Sequence, residues 1–292
     1  MPELPEVETT VKGLNSKVLG RTFLDVWTDA EKIIKKPNNF KAFKKEIKGK
    51  KIIKAWRRAK NVIVELSKGY SLLVHQKMTG HLLCGKWQRN GNGWTAPQNS
   101  PLADPYNRFL HLIFFLDNSS MLALSDMRKF AKVELWKTKE LLNSKDLKKL
   151  GPEPLEKDFT FKKFKEVFKN KKGKIKQILM NQEIIAGIGN IYSSEALWLA
   201  KIHPGKDTSN LNDKELKLLY NAIKKVLTLG IKLGGESFSD YRKPDGRKGD
   251  FDDERKVYKR AGQKCSRCGQ KIKRLKIGQR SAFFCPSCQK PQ

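Results

Sequence analysis

Acidic residues are scarce in this chain. Thirty Asp and Glu stand against 61 Lys and Arg, a formal net charge of +31 over 292 residues. So large an excess favours a polyanionic partner: nucleic acid first, an acidic membrane surface second. Long hydrophobic runs are missing, since no apolar stretch approaches the roughly 20 residues of a membrane-spanning helix. The opening MPELPEVETTVKG is polar and acidic and offers no secretory apolar core. These absences point to a soluble, cytoplasmic, nucleoid-associated protein. Cysteine is sparse outside the tail: Cys84 stands alone, and the other four fall between 265 and 288. That asymmetry excludes a disulfide framework spread through the fold, and Cys84 reads as a small buried hydrophobe. No internal repeat occurs at solenoid periods.

What is present changes character along the chain. NVIVEL (61–66) alternates, a turn follows, and SLLVH (71–75) returns. FLHLIFFLD (109–117) and MLALSD (121–126) repeat the pattern around NSS, the signature of hairpins. Ahead of them, PEVETTVKGLNSKV reads as a helix, with Pro5 near its first position and acids in its first turn. LGPEPLEKDFT (150–160) carries two prolines and reads as a linker or domain entry. Helical periodicity follows: Leu216, Leu219, Tyr220, Ile223 and Leu227 share one helix face. Residues 234–254, rich in Gly and charge, read as a long mobile loop.

The tail gives Cys265-x2-Cys268-x16-Cys285-x2-Cys288. Two such knuckles supply four thiolates at the spacing of a closed, structural zinc site. A redox pair or an iron–sulfur site are the other uses of such a set. From Arg255 to Arg280 there are eleven bases and no acid. A rigid basic hairpin suits a nucleic-acid groove better than an ordinary solvated surface. Upstream, AGIGNIYSSEAL (186–197) joins two predicted helices. Gly187 and Gly189 would let the backbone turn sharply, and Asn190 at the helix start could meet a phosphate. Two glycines between helices can equally be only a turn.

Three acids and no base occupy the first ten residues, with Pro2 directly behind Met1. Without Met1, Pro2 is a free secondary amine, and an α-amino group titrates near pH 8. Such an amine can attack a sugar C1′ to give an iminium, which acidifies C2′ and eases loss of a 3′-phosphate. Glu3 can exchange the protons. On these residues alone, Pro2 and Glu3 can equally be a helix lead-in.

MPELPEVET, RRAK (57–60), HQKMTG (75–80), DMRKF (126–130), LGPEPL (150–155), AGIGNIYSSEAL, HP (203–204) and CSRC…RSAFFCPSCQ follow one another from Met1 to Gln289. In this order and combination they closely resemble the bacterial formamidopyrimidine-DNA glycosylases. The resemblance implies an α+β fold. Its N-terminal part would be a two-layer β-sandwich with flanking helices. Its C-terminal part would be a helix–two-turn–helix domain and a zinc-pinned β-hairpin. The implied organisation is a catalytic domain over 1–135, a linker over 136–155, a helical domain over 156–254 with a lesion-capping loop at 237–251, and a four-cysteine zinc finger over 255–292.

Residue by residue, the resemblance makes Pro2 the Schiff-base nucleophile and Glu3 the general acid/base. Lys60 is the proton donor for β-elimination, and Arg280 serves δ-elimination and grips phosphate. Met78, Arg128 and Phe130 enter the duplex where the damaged nucleotide has left. For Met78 and Phe130 the alternative, read without the resemblance, is ordinary core packing. Asn190 and Lys171 match backbone-phosphate contacts, and His75 lies in the same DNA-facing layer. Cys265, Cys268, Cys285 and Cys288 hold one structural zinc. The chain departs from the family's usual residues at Gln76, Lys77, Phe109, Met127, Lys129 and Ala131. Lys77 stands where glycine is common, and Phe109 where a DNA-contacting histidine is common.

The implied activity is that of a bifunctional glycosylase and abasic-site lyase, acting as a monomer on duplex DNA that contains oxidised purines or abasic sites. Base flipping is required, because damage inside the stack is unreachable. Two alternatives are an endonuclease VIII-like enzyme for oxidised pyrimidines and a non-catalytic zinc-finger DNA-binding protein.

Overall fold

The computed structural model describes residues 1–91, 93–237 and 240–291. The chain packs as two units, Met1–Lys148 with Leu233–Asp252, and Lys149–Lys232 with Asp253–Gln292.

The first unit opens with α1 (Leu4–Lys17), β1 (Phe23–Thr28), β2 (Ile34–Lys36) and α2 (Phe40–Ile47). Strands β3 (Ile52–Arg58), β4 (Asn61–Leu66), β5 (Tyr70–His75) and β6 (His81–Gly85) follow. Next come the short β7 (Gln88–Asn90) and β8 (Gly93–Thr95), then β9 (Leu110–Leu116), β10 (Met121–Ser125) and β11 (Lys132–Lys137). One sheet has the order β1-β9-β10-β6, the other β2-β11-β5-β4-β3. Both expected hairpins form, β4 with β5 and β9 with β10. Their inward residues meet: Val62, Val64, Leu72 and Val74 from one sheet share a core with Leu82, Leu112, Phe114 and Leu124 from the other. Val7, Val11 and Leu14 of α1 enter the same core. Each such side chain contributes about 1.5–3 kcal/mol when fully buried. Cys84 belongs to this core, and burial pushes its thiol up to about 12, so it is inert as well as buried.

Two expectations change. Residues 138–148 do not act as a linker. They form α3 (Thr138–Leu142) and α4 (Lys145–Lys148), which bury Leu141 and Leu147 in the first unit. Residues 233–252 are largely irregular, as expected, but they are clamped to the first unit. Tyr241, Arg242 and Phe251 are all buried. Arg242 pairs with Asp104 at 3.0 Å, and Asn107 donates to the Gly246 carbonyl at 3.1 Å. Polar residues looked mobile in the sequence because their partners lie over a hundred positions away. Phe238 and Ser239, within the expected capping loop, lie outside the described residues.

The second unit contains α5 (Phe161–Phe168), α6 (Ile175–Met180), α7 (Asn190–Leu199) and α8 (Asp213–Lys232), and after α9 (Phe251–Glu254) the hairpin β12 (Lys273–Ile277) with β13 (Arg280–Phe284). The cysteine module is not separate from the helices. Trp198 of α7 shares a buried cluster with Val257, Cys265, Ile272, Phe283 and Cys285. Among the described residues, no helix is long and apolar enough to cross a membrane.

Candidate active site and nucleic-acid interface

The front end is built on α1. Glu3 is its N-cap and Glu6 its third residue, and the two form a capping box. The Glu6 carboxylate accepts the Glu3 N–H at 2.7 Å and the Glu236 N–H at 2.8 Å. The Tyr241 hydroxyl donates to the Glu6 carbonyl at 3.0 Å. Glu6 is 1% exposed and Glu3 2%, while Met1 is 39% exposed. Pro2 is buried beside them. Sequence reading saw Glu6 only as a first-turn acid. Its role as the hub that ties the N-terminus to Glu236 and Tyr241 needs the fold. Gly235, at φ 87°, is part of that hub: a Cβ there would stand 2.8 Å from the Glu6 side chain.

Lys60 sits at the tip of the β3–β4 hairpin, after Ala59 in the left-handed region at φ 52°. The hairpin is tied to α1 by Arg57, whose guanidinium meets Glu8 at 3.0 Å. His75 pairs with Asn61 across β4 and β5. Its Nδ1 accepts the Lys77 N–H at 3.0 Å, so the ring proton lies on Nε2. Burial, with Lys77 and Lys60 nearby, lowers its pKa to about 4. His75 is therefore a neutral donor at physiological pH.

Two loops of this unit share one organiser. The Asp126 carboxylate, fully buried, accepts N–H groups from Phe130 at 2.7 Å, Ala131 at 2.8 Å and Arg128 at 3.3 Å, and takes the Thr79 hydroxyl. This holds the Met78 loop against the 127–131 loop. Phe130 is 51% exposed, with the Arg128 guanidinium 4.5 Å from its ring centre. Met78 and Phe130 line a cavity of about 460 Å³ rimmed by Lys32, Lys35, Lys77 and Lys129. An exposed phenylalanine held by a buried carboxylate is not core packing. Asp126 was missed in the sequence because a single acid beside a strand end has no pattern.

In the second unit, the two turns between α6 and α7 are built by Gln182. Its amide donates to the Met180 and Ile188 carbonyls, and its oxygen accepts the Gly187 N–H at 2.8 Å. Of the two glycines expected to let the backbone turn sharply, Gly187 takes the left-handed region, at φ 85°, and Gly189 is extended. Asn190 is the first residue of α7. Buried Lys176, also missed, donates to the Asn190 carbonyl at 2.7 Å and to the hydroxyls of Ser193 and Ser194. Lys171 is exposed on the loop after α5. Arg280 is exposed at the start of β13, beside the Gly278–Gln279 turn.

The four cysteine sulfurs lie within 4.8 Å of one another, with Cys268 and Cys285 at 3.4 Å and Cys288 and Cys268 at 3.5 Å. Four sulfurs around zinc at about 2.3 Å stand about 3.8 Å apart, so the donor set fits one closed tetrahedral ion. Trp198 donates its indole N–H to Cys265 Sγ at 3.4 Å. Glu195 of α7 fixes the entry to the module by accepting the N–H groups of Lys256, Val257 and Tyr258 at 2.7–3.0 Å. The site is structural, with no open ligand position.

Comparison with known proteins places the chain in a family. Residues 1–133 match the family model of the formamidopyrimidine-DNA glycosylase N-terminal domain, and residues 150–242 that of its H2TH domain. Residues 262–291 match a zinc finger found in FPG and IleRS. The formamidopyrimidine-DNA glycosylase of Pelotomaculum thermopropionicum is 40% identical over 99% of both chains. That of Heliobacterium modesticaldum is 38% identical over 99% of this chain and 100% of its own. Lactococcus lactis Fpg, solved with DNA containing an abasic site, is 35% identical with a TM-score of 0.86, covering 99% of this chain and 100% of that one. The same enzyme solved with DNA containing an oxidised pyrimidine gives 36% and 0.86, over the same shares. The chain belongs to the formamidopyrimidine-DNA glycosylase family, DNA glycosylases of base excision repair.

Proposed function

We propose that this chain excises oxidised purines such as 8-oxoguanine and formamidopyrimidines from duplex DNA, and then cleaves the backbone through a Schiff base on Pro2. The observation that carries the reading is the front end: Pro2 and Glu3 lie buried at the start of a 14-residue helix, fixed by the Glu6 hub. With Met1 removed, the Pro2 nitrogen attacks C1′ of the flipped nucleotide, and the C1′–base bond breaks with its electrons going to the base. Glu3 manages the protons of ring opening. The iminium then lets the C2′ proton leave, and its electrons expel the 3′-phosphate. A second elimination expels the 5′-phosphate and leaves a one-nucleotide gap.

Lys60, at the hairpin tip, serves the first elimination, and Arg280 the second. Met78, Arg128 and Phe130 fill the vacated stack, where an exposed ring and a guanidinium can replace the lost base contacts. Asn190, at the head of α7, and Lys171 hold backbone phosphates. His75 does so as a neutral Nε2–H donor. Residues 237–251 cover the extruded base. The zinc ion supplies no chemistry; it sets the hairpin that carries Arg280. The net charge of +31 supports residence on chromosomal DNA in the cytoplasm, and the family resemblance supports a monomer.

A 5′-labelled duplex with 8-oxoguanine opposite cytosine tests this reading. The expected product ends in a 3′-phosphate, the mark of two eliminations. Release of thymine glycol alone would move the activity to the endonuclease VIII-like reading. Binding without scission of either the lesion or an abasic duplex would leave a non-catalytic DNA-binding protein.

A further inference from the structure

The second unit carries a groove whose rim includes Lys171, proposed above to hold a backbone phosphate, but whose apolar floor none of these roles uses. It lies between α5 and the start of α8 and has a volume of about 870 Å³, within the range of about 300–1,000 Å³ typical of ligand sites. Its floor is apolar: Phe161, Phe168, Leu211 and Leu216. Leu216 begins the apolar face of α8, whose later members Leu219, Ile223 and Leu227 are buried. Leu216 itself is only half-buried, as are Phe161 and Leu211. The stripe thus runs a turn beyond the core it packs against.

The rim is basic. Lys162, Lys165, Lys169, Lys171 and Lys172 surround a single acid, Glu166. Lys165 is paired with Asp213 at 2.5 Å. Among the described residues, the other four lysines make no ion pair.

We infer that this groove docks an acidic peptide segment of a partner protein, one that places an aromatic or aliphatic side chain on the floor. The two halves of the site select this occupant together. A phosphodiester backbone would satisfy the lysines but gain nothing from the half-buried Phe161, Leu211 and Leu216. A small ligand would need convergent, fixed polar groups, and the rim offers long flexible side chains instead. An acidic peptide uses the lysines for steering and register, and its apolar side chain for most of the affinity.

The test is fluorescence anisotropy on the full-length zinc-loaded protein. The probe is a fluorescein-labelled hexapeptide of four Asp, one Phe and one Leu; its control carries Ser in place of Phe and Leu. The expected result is binding of the Phe/Leu peptide about tenfold tighter than the control, a difference near 1.4 kcal/mol. Lys162→Glu with Lys169→Glu should abolish most of that binding and leave lesion cleavage within about twofold. Leu216→Ser should remove the preference for the apolar peptide, with folding checked by its thermal midpoint. Equal affinity for the two peptides, or no binding at low salt, overturns the inference. So does a double variant that loses affinity for a lesion-free duplex while the peptides stay undiscriminated, which would make the groove a DNA surface. Cleavage is read separately, so failure here leaves the proposed reaction standing.

Discussion

At the N-terminus, one buried carboxylate, Glu6, holds the chain by accepting the N–H groups of Glu3 and Glu236. At the C-terminus, four thiolates stand within 4.8 Å of one another around a zinc position. Both ends position groups proposed to act on DNA, but they depend on different physics. The front is fixed by hydrogen bonds and burial that the folded unit itself supplies. The rear is a short hairpin whose own cluster is small, and its geometry is conditional on a metal. A reagent needs fixed geometry and an undisturbed amine, which a fold-made cradle provides. A DNA-gripping hairpin needs only to be rigid and basic.

The largest expected effect separates the ends by metal. Structural zinc contributes apparent binding energies of about 10–16 kcal/mol in small modules. Cys285→Ser should therefore lose the zinc, counted by elemental analysis, and with it most duplex affinity. Metal retained at one per chain would break the four-thiolate assignment.

Glu6→Ala is the counterpart at the front. Two hydrogen bonds to a buried charge are lost, worth about 3 kcal/mol together. Stability and cleavage should both fall, while zinc content stays at one per chain. Normal cleavage in this variant would show that Glu6 does not position Pro2 and Glu3.

Acid should loosen the first unit before the second. His81 is 1% exposed, and burial lowers its pKa to about 4 despite a hydrogen bond with Asn107 at 3.0 Å. Unfolded, it titrates near 6.5. Between those values the unfolded chain binds a proton that the folded chain does not, so stability is full above pH 6.5 and falls toward pH 4. At pH 5 the loss is about 2 kcal/mol. His75 adds to it in the same direction. Thermal midpoints from pH 7 to 5 check this, and His81→Gln should flatten the slope; an unchanged slope would contradict it.

The smallest effect concerns a departure from the family. Lys77 holds φ 54°, a left-handed backbone that glycine adopts freely. Lys77→Gly should stabilise by about 0.5 kcal/mol, the relief of strain being partly offset by glycine's greater chain entropy. A lower thermal midpoint would mean that the Lys77 side chain makes a compensating contact.

These differences also show what a sequence exposes. Both expected hairpins and the α8 helix were legible because one face of each is buried, which leaves a period in the pattern, and α1 was legible from Pro5 and the acids of its first turn. The cysteines were legible because a tetrahedral site constrains spacing. Strands such as β1 and β3 were not, since Asp25, Lys54, Arg57 and Arg58 interrupt their apolar alternation. Asp126, Lys176 and Arg242 were invisible because each works through partners distant in the chain, and a buried charge has no periodic signature. Lys60 and Arg280 were two bases among 61 until the family resemblance singled them out.

The most direct test is borohydride trapping on a duplex with 8-oxoguanine opposite cytosine, with an abasic duplex alongside. A covalent complex should form on both and map to the N-terminal peptide. Pro2→Gly should reduce it at least about tenfold while binding stays near normal, because the amine is a reagent and not a support. A complex that maps elsewhere, or none on either duplex from protein with a confirmed free Pro2, would contradict the account.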